Sequence, residues 1–179
     1  MIQHNYIDTD YLLSYLFFSK KELKKYLGKE KSLEKERYNI LNNFVKKQKN
    51  NVVLKIPLIV LGEVNVKLVK YPEIIEDEVS FFHIRRKILD LFKHEEIDLN
   101  PPKKECYETA KILVESNEQH EIHPTDALIV SQALHDVNSK YFLTLDKVLI
   151  ESLNRGIISE ENQRLKGTNL LKIYPNKFI

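Results

Sequence analysis

Four acidic residues stand directly against apolar runs: Asp8 in Asn-Tyr-Ile-Asp-Thr-Asp, Glu63 in Ile-Val-Leu-Gly-Glu-Val, Asp126 in Pro-Thr-Asp-Ala-Leu-Ile, and Asp146 in Phe-Leu-Thr-Leu-Asp. A carboxylate beside a segment that must pack inward is costly to bury unless a cation or hydrogen bonds compensate it. Carboxylates of this kind, brought together, repel one another and form an oxygen-rich site of the sort that suits a hard cation, Mg²⁺ or Mn²⁺. Asp10 is either a fifth acid or a helix cap. Thr144, two residues before Asp146, can hydrogen-bond a carboxylate and fix its orientation, or simply close a strand.

The elements that must position these groups alternate in type. Tyr6 to Asp8 reads as a short buried strand, and Thr9 or Asp10 as the cap of a helix through Leu16. A second helical stretch spans Leu23 to Phe44, with Gly28 as a break. Val52 to Ile56 forms a second strand closed by Pro57, and Leu58 to Val69 is a helix carrying Glu63. An amphipathic segment from Ile74 to Phe92 leads to a third strand, Ile97-Asp98-Leu99, ended by Asn100-Pro101-Pro102. Lys103 to Val114 is helical, His123-Pro124-Thr125 starts the next helix, Tyr141 to Thr144 is a fourth strand, Lys147 to Leu153 a short helix, and Leu171 to Tyr174 a fifth strand.

Alternation of this kind predicts an α/β fold with a central, mostly parallel sheet of about five strands flanked by helices. In such sheets ligands bind beyond the carboxyl ends of the strands. Asp8 and Asp146 lie at such ends, and Glu63, early in the helix after the second strand, can approach the same edge. Periodicity alone does not bring Asp126 there, because two helices separate the third and fourth strands.

The length of 179 residues suits one domain, 1–179, with a basic helical elaboration around 20–50. With four glycines, six prolines and 30% charged residues, the chain reads as helix-rich rather than loop-rich or disordered. Cys106, the single cysteine, offers neither a disulfide nor a cysteine metal site and reads as an inert, inward-facing thiol in a reducing setting. The start of the chain lacks a basic region followed by a long apolar stretch, and no segment is long enough to span a membrane, so a cytoplasmic protein is expected. Net charge is +2, but residues 20–50 carry eleven Lys/Arg against four Glu. A basic arm on a mildly acidic body suits a polyanion partner, and Lys20, Lys21, Lys24 and Lys25 are its candidate contacts; the interleaved Glu–Lys pairs equally suit a solvated helix face. His120 and His123 read as loop residues without a third ligand, and the aromatic residues at helical intervals as core.

In order, context and spacing, the four acidic segments resemble the PIN-domain ribonucleases, including the VapC-type toxins of toxin–antitoxin systems. Tyr6-Ile7-Asp8-Thr9-Asp10-Tyr11-Leu12-Leu13 resembles the family's strand–Asp–helix start. The helix of Glu63 corresponds to its acidic second helix, Pro124 to Ala133 to its third acidic motif, and Phe142-Leu143-Thr144-Leu145-Asp146 to its strand-ending Thr-x-Asp. The chain departs from the pattern at Asp10, where the family often has asparagine, at Leu149, where many members have an aromatic residue, and in the longer stretches Lys20–Asn50 and Glu73–Phe92.

The resemblance implies a PIN-like three-layer fold and one or two Mg²⁺ or Mn²⁺ ions held by Asp8, Glu63, Asp126 and Asp146. It also implies RNA phosphodiester hydrolysis, endonucleolytic and leaving a 5′-phosphate, and as partners an RNA substrate, a small antitoxin and a second copy of the chain. Toxin and RNA-processing nuclease are both compatible with it. Two other functions compete. A non-catalytic PIN-like module would bind RNA or protein without cutting. A haloacid dehalogenase-like phosphatase would use Asp8 and Asp10 as nucleophile and acid, but it wants a lysine motif and does not account for Pro124-Thr125-Asp126-Ala127.

Overall fold

A computed structural model describes residues 2–19, 39, 43–44, 47, 52–69, 82–86, 89, 97–98, 101–115, 122–154 and 156–175. Most of the basic arm, with Lys20, Lys21, Lys24 and Lys25, falls outside the described residues, as does His120. In chain order the elements are β1 (Gln3–Ile7), α1 (Thr9–Ser19), β2 (Val52–Pro57), α2 (Leu58–Val69), β3 (Ile97–Asp98), α3 (Lys104–Glu115), α4 (Pro124–His135), β4 (Ser139–Leu143), α5 (Lys147–Asn154), α6 (Ile157–Lys166) and β5 (Lys172–Tyr174).

The sheet is parallel, in the order β3-β2-β1-β4-β5. Four strands form its body, and β3 adds a two-residue ladder at the edge, Ile56 against Ile97 and Pro57 against Asp98. β1 and β4 are the inner strands. Their closing residues, Tyr6 and Ile7 on one and Phe142 and Leu143 on the other, are all buried, as expected for parallel strands covered on both faces. The chain builds outward from β1 to β2 and β3, then crosses to β4 on the other side of β1. The carboxyl ends of β1 and β4 therefore flank the point where the connections diverge, which is where an open α/β sheet forms its ligand crevice.

Helix composition explains the flanking layers. α3 buries Cys106, Thr109, Ala110 and Leu113, a single stripe at helical spacing, and packs on α4. α4 buries every residue from Ile129 to Leu134, polar Ser131 and Gln132 included, and is correspondingly enclosed on most sides. α1 packs on α2, and α6 on α4 and α5.

Where the described residues cover them, the strand and helix expectations agree with these elements to within a few residues, with two corrections; the helical stretches expected at 23–44 and 74–92 lie mostly outside the described residues. β1 begins at Gln3 and stops at Ile7, one residue before Asp8, so Asp8 belongs to the start of α1 instead of the strand. α6 was not expected. Its buried face is partly polar, Ile158 with Glu161 and Asn162, so no apolar periodicity announces it. Asn162 earns its burial by pairing with the backbone of Leu171: its Nδ2 donates to the Leu171 carbonyl at 2.8 Å and its Oδ1 accepts from the Leu171 amide at 2.9 Å. That pair sets the entry to β5. The sequence signal is the bracket of Gly156 and Gly167, both at positive φ, 79° and 56°, a conformation that glycine adopts at little cost.

The amino end of the sheet is tied by Asp136. Its Oδ2 accepts from the Tyr6 hydroxyl at 3.0 Å and lies 2.6 Å from His4 Nδ1, while its Oδ1 accepts from the Asn138 amide at 2.9 Å. Burial pushes this carboxyl up, but the His4 hydrogen bond, the Asn138 amide, the charge of His4 and the Tyr6 hydroxyl outweigh it and hold it below the ordinary carboxylate value. A depressed folded-state value means that the contribution of Asp136 to stability is complete above about pH 4, the unfolded value, and is lost as pH falls through the lower folded value. Asp136→Asn is accordingly expected to cost about 1–3 kcal/mol at pH 7 and to flatten the acid side of the stability curve. Urea unfolding across a pH series checks this, and an unchanged acid slope in the variant would refute it.

Candidate functional site

The two inner strands end in the same local device. Asp8 follows β1 directly, and its Oδ1 accepts from the Tyr11 amide at 2.7 Å while its carbonyl accepts from the Leu12 amide at 3.1 Å. Asp146 follows β4 after two residues; its Oδ1 accepts from the Leu149 amide at 2.9 Å and its carbonyl from the Ile150 amide at 3.0 Å. Each aspartate is thus the N-cap of the next helix, where orphan amides and the helix dipole favour a negative charge. The cap of α1 is Asp8, and not Thr9 or Asp10 as the sequence suggested.

Thr144 joins the two. Fully buried, its Oγ1 donates to Asp8 Oδ2 and accepts from the Asp146 amide at 2.9 Å. The Asp8 amide in turn donates to the Leu143 carbonyl at 3.2 Å. The expected hydrogen bond from Thr144 to a carboxylate is therefore present. Thr144→Val preserves shape but removes both bonds; it is expected to cost about 1–3 kcal/mol of stability and about 10–100-fold in any activity that depends on the orientation of Asp8. Paired unfolding and activity measurements check this, and wild-type values for both would exclude the orienting role.

Asp126 reaches the same place by a route the sequence does not display. α4 is joined to β4 by the short turn 136–138 and packs on it, so it runs back antiparallel to the strand. Twelve helical residues span about 18 Å, and five strand residues about 17 Å. The start of α4 therefore returns to the level at which β4 ends. Glu63 lies in the second turn of α2, which begins as soon as β2 ends, and its Oε2 accepts from Thr9 Oγ1.

The result is a cleft of about 220 Å³ lined by Asp8, Thr9, Asp10, Glu63, Lys67, His123, Asp126 and Asp146. All four acids picked out in the sequence are there, together with Asp10. Asp10 Oδ1 accepts from Lys67 Nζ at 2.6 Å, so it acts as a fifth acid of the cleft and not as a cap. Thr9, Lys67 and His123 were not anticipated. Lys67 follows Glu63 by one helical turn, a spacing that puts both on one face of α2. His123, expected from sequence at the start of this helix and not in the site, sits on the cleft rim as the N-cap of α4, its Nδ1 accepting from the Thr125 amide at 3.4 Å.

The electrostatics report crowding. Burial, then the charge of Asp10, pushes Asp8 up to about 8 against the Thr144 and Tyr11 hydrogen bonds, and Asp126 adds to the rise. Burial, then Glu63 and Asp146, pushes Asp126 up to about 6, with His123 pulling down and Asp10 adding to the rise. Burial lowers Lys67, but the Asp10 hydrogen bond and charge, with Glu63 and Asp8 behind them, raise it overall. This donor set suits a hard divalent cation in chemistry: it is all oxygen, crowded and under-compensated. In placement the carboxylates surround the cleft without converging, and among the described residues no group of three or more His, Cys, Asp or Glu is arranged to hold a metal ion. Internal donors already engage four of the five carboxylates: Tyr11 and Thr144 on Asp8, Thr9 on Glu63, Lys67 on Asp10 and Leu149 on Asp146.

The sequence matches no protein-family profile and no curated protein. Among solved structures the chain is similar to one chain of the crystal structure of VapBC2 from Rickettsia felis bound to a DNA fragment from their promoter. The TM-score is 0.53 at 14% identity, over 95% of this chain and 97% of that one. The likeness is one of fold. With the parallel sheet flanked by helices, it is consistent with the PIN-like architecture that the motifs imply. No helix among the described residues is long and apolar enough to cross a membrane.

Proposed function

We propose that this chain is a metal-dependent ribonuclease that hydrolyses RNA phosphodiester bonds in the carboxylate cleft, and that it acts as the toxin of a toxin–antitoxin pair. The observation that carries the reading is the gathering of Asp8, Glu63, Asp126 and Asp146 around one cleft at the divergence point of a parallel sheet. Four segments scattered along the sequence have no local reason to meet there. Support comes from their resemblance to PIN-domain motifs and from a fold likeness to a VapBC chain.

The residues that would hold Mg²⁺ or Mn²⁺ are Asp8, Glu63, Asp126 and Asp146. A bound ion would supply a water-derived nucleophile near neutral pH and offset charge on the phosphodiester. The protein's own part is orientation: Thr144 and the α1 amides aim Asp8, and Thr9 aims Glu63. The partners that follow are an RNA substrate and a small antitoxin protein able to cover the cleft; a second copy of the chain is a further candidate. The arm around Lys20–Lys25 is a candidate RNA contact.

The test is cleavage of a mixed pool of structured and single-stranded RNA by the purified chain in Mg²⁺, Mn²⁺ or EDTA, beside a folded Asp8→Asn, Asp146→Asn double variant. Cleavage that needs the metal and vanishes in the variant is the expected result. RNA that is bound but left intact, identically by both proteins, would replace the nuclease with a binding module. Co-purification with a small protein tests the toxin assignment separately.

A further inference from the structure

Among the described residues, five carboxylates line the cleft against one lysine, Lys67. An RNA phosphate entering that cleft meets strong like-charge repulsion, which a positioned cation can offset. Lys67 is built for such a position. Asp10 holds its ammonium group at 2.6 Å, and the two side chains are 40% and 45% exposed, so the pair is open to an incoming ligand. An ammonium has three donors, and Asp10 takes one of them among the described contacts. α2 presents Glu63 and Lys67 on one face, so a group bound at Lys67 lies one helical turn from the acids proposed to hold the metal.

Resting on the nuclease reading, we infer that Lys67 is the phosphate-binding residue of this cleft. Its ammonium group hydrogen-bonds a non-bridging oxygen of an RNA phosphate, and Asp10 is the positioning residue that aims it. The contact is made in the ground state as well as during reaction, so it acts on substrate binding more than on turnover. Lys67 would also favour anionic ligands over neutral ones. A lysine that merely offset the charge of its neighbours would instead let Asp10→Asn, which sheds a negative charge, bind RNA more tightly than the wild type.

The test uses the full chain with a short single-stranded oligoribonucleotide, first in EDTA by fluorescence anisotropy between about 50 and 200 mM salt. Lys67→Met is expected to weaken binding about 10–100-fold, the worth of one charge-assisted hydrogen bond. It should also reduce the slope of log K against log salt by about 0.7, the value for one phosphate contact on a single strand. Lys67→Arg should restore the slope, and Asp10→Asn should weaken binding less while keeping it. In Mg²⁺, Lys67→Met should raise KM with kcat nearly preserved.

An unchanged slope and KM in Lys67→Met would overturn the inference even where the wild-type chain cuts RNA. A reduced slope in a chain that does not cut would keep the phosphate contact and remove the nuclease. Failure of the wild-type chain both to bind RNA and to cut it in Mg²⁺ or Mn²⁺ would overturn both.

Discussion

Asp8→Asn is expected to lose about 10²–10³-fold or more in RNA cleavage, the scale associated with removing one preorganised electrostatic group from a site, while the same substitution makes the fold more resistant to urea in EDTA at neutral pH. The two effects share one cause. Asp8 is only 3% exposed, and its charge is opposed by burial and by Asp10 and Asp126. Asparagine keeps the shape and an oxygen able to accept from the Tyr11 amide, but spares the fold the cost that Asp8, raised to about 8, carries at neutral pH, where a carboxyl ionised in the unfolded chain must take up a proton or bury its charge on folding. A gain of about 1–2 kcal/mol is the usual scale when a strained functional group is neutralised. Urea unfolding in EDTA and a single-turnover cleavage assay read the two effects. A variant that unfolds earlier than wild type and still cuts at the wild-type rate would assign Asp8 to structure alone.

The largest loss of stability is expected at Phe142, and it leaves the chemistry in place. Phe142 is 0% exposed on inner strand β4, paired in register with Tyr6 of β1 and Ile173 of β5. Truncation to alanine removes a buried ring and leaves a cavity that the neighbouring strands cannot close without breaking register. The expected cost is about 3–5 kcal/mol, against a total stability of about 5–15 kcal/mol for a domain. Phe142→Leu, which refills most of the volume, should cost less than about 2 kcal/mol. The urea midpoint should fall with little change in the slope of the transition. A midpoint shift worth under about 1 kcal/mol would show that β4 is not the rigid support that places Thr144 and Asp146. Below the unfolding transition the Phe142→Ala chain should still cut RNA, the reverse of Asp8→Asn.

Asp8 and Asp146 were legible because strand, acid and helix follow one another within a few residues, and local hydrogen bonding decides what such an acid does. Even there the detail escaped: Asp8 caps α1 itself, which freed Asp10 to pair with Lys67. Glu63 was legible because α2 starts where β2 stops. The third strand was expected at Ile97 to Leu99 and is a two-residue ladder, too short to extend the sheet far. α6 was hidden by its polar buried face, since Glu161 and Asn162 are inward for hydrogen bonding and ion pairing and not for apolar burial. The basic arm, expected around residues 20–50, lies mostly outside the described residues.

By itself the sequence determined the alternation of strands and helices, the parallel sheet and the candidate acids, because hydrophobic period and helix-start chemistry act over a few residues. Only the tertiary structure decided that the acids share a cleft. Asp126 arrives because α4 and β4 have nearly equal lengths and run antiparallel, and Lys67 reaches Asp10 across 57 residues of chain. Thr144 reaches Asp8 across 136. Contacts at such separations depend on strand order, and strand order is set by how all the apolar faces are buried at once, a condition that no short segment of sequence contains.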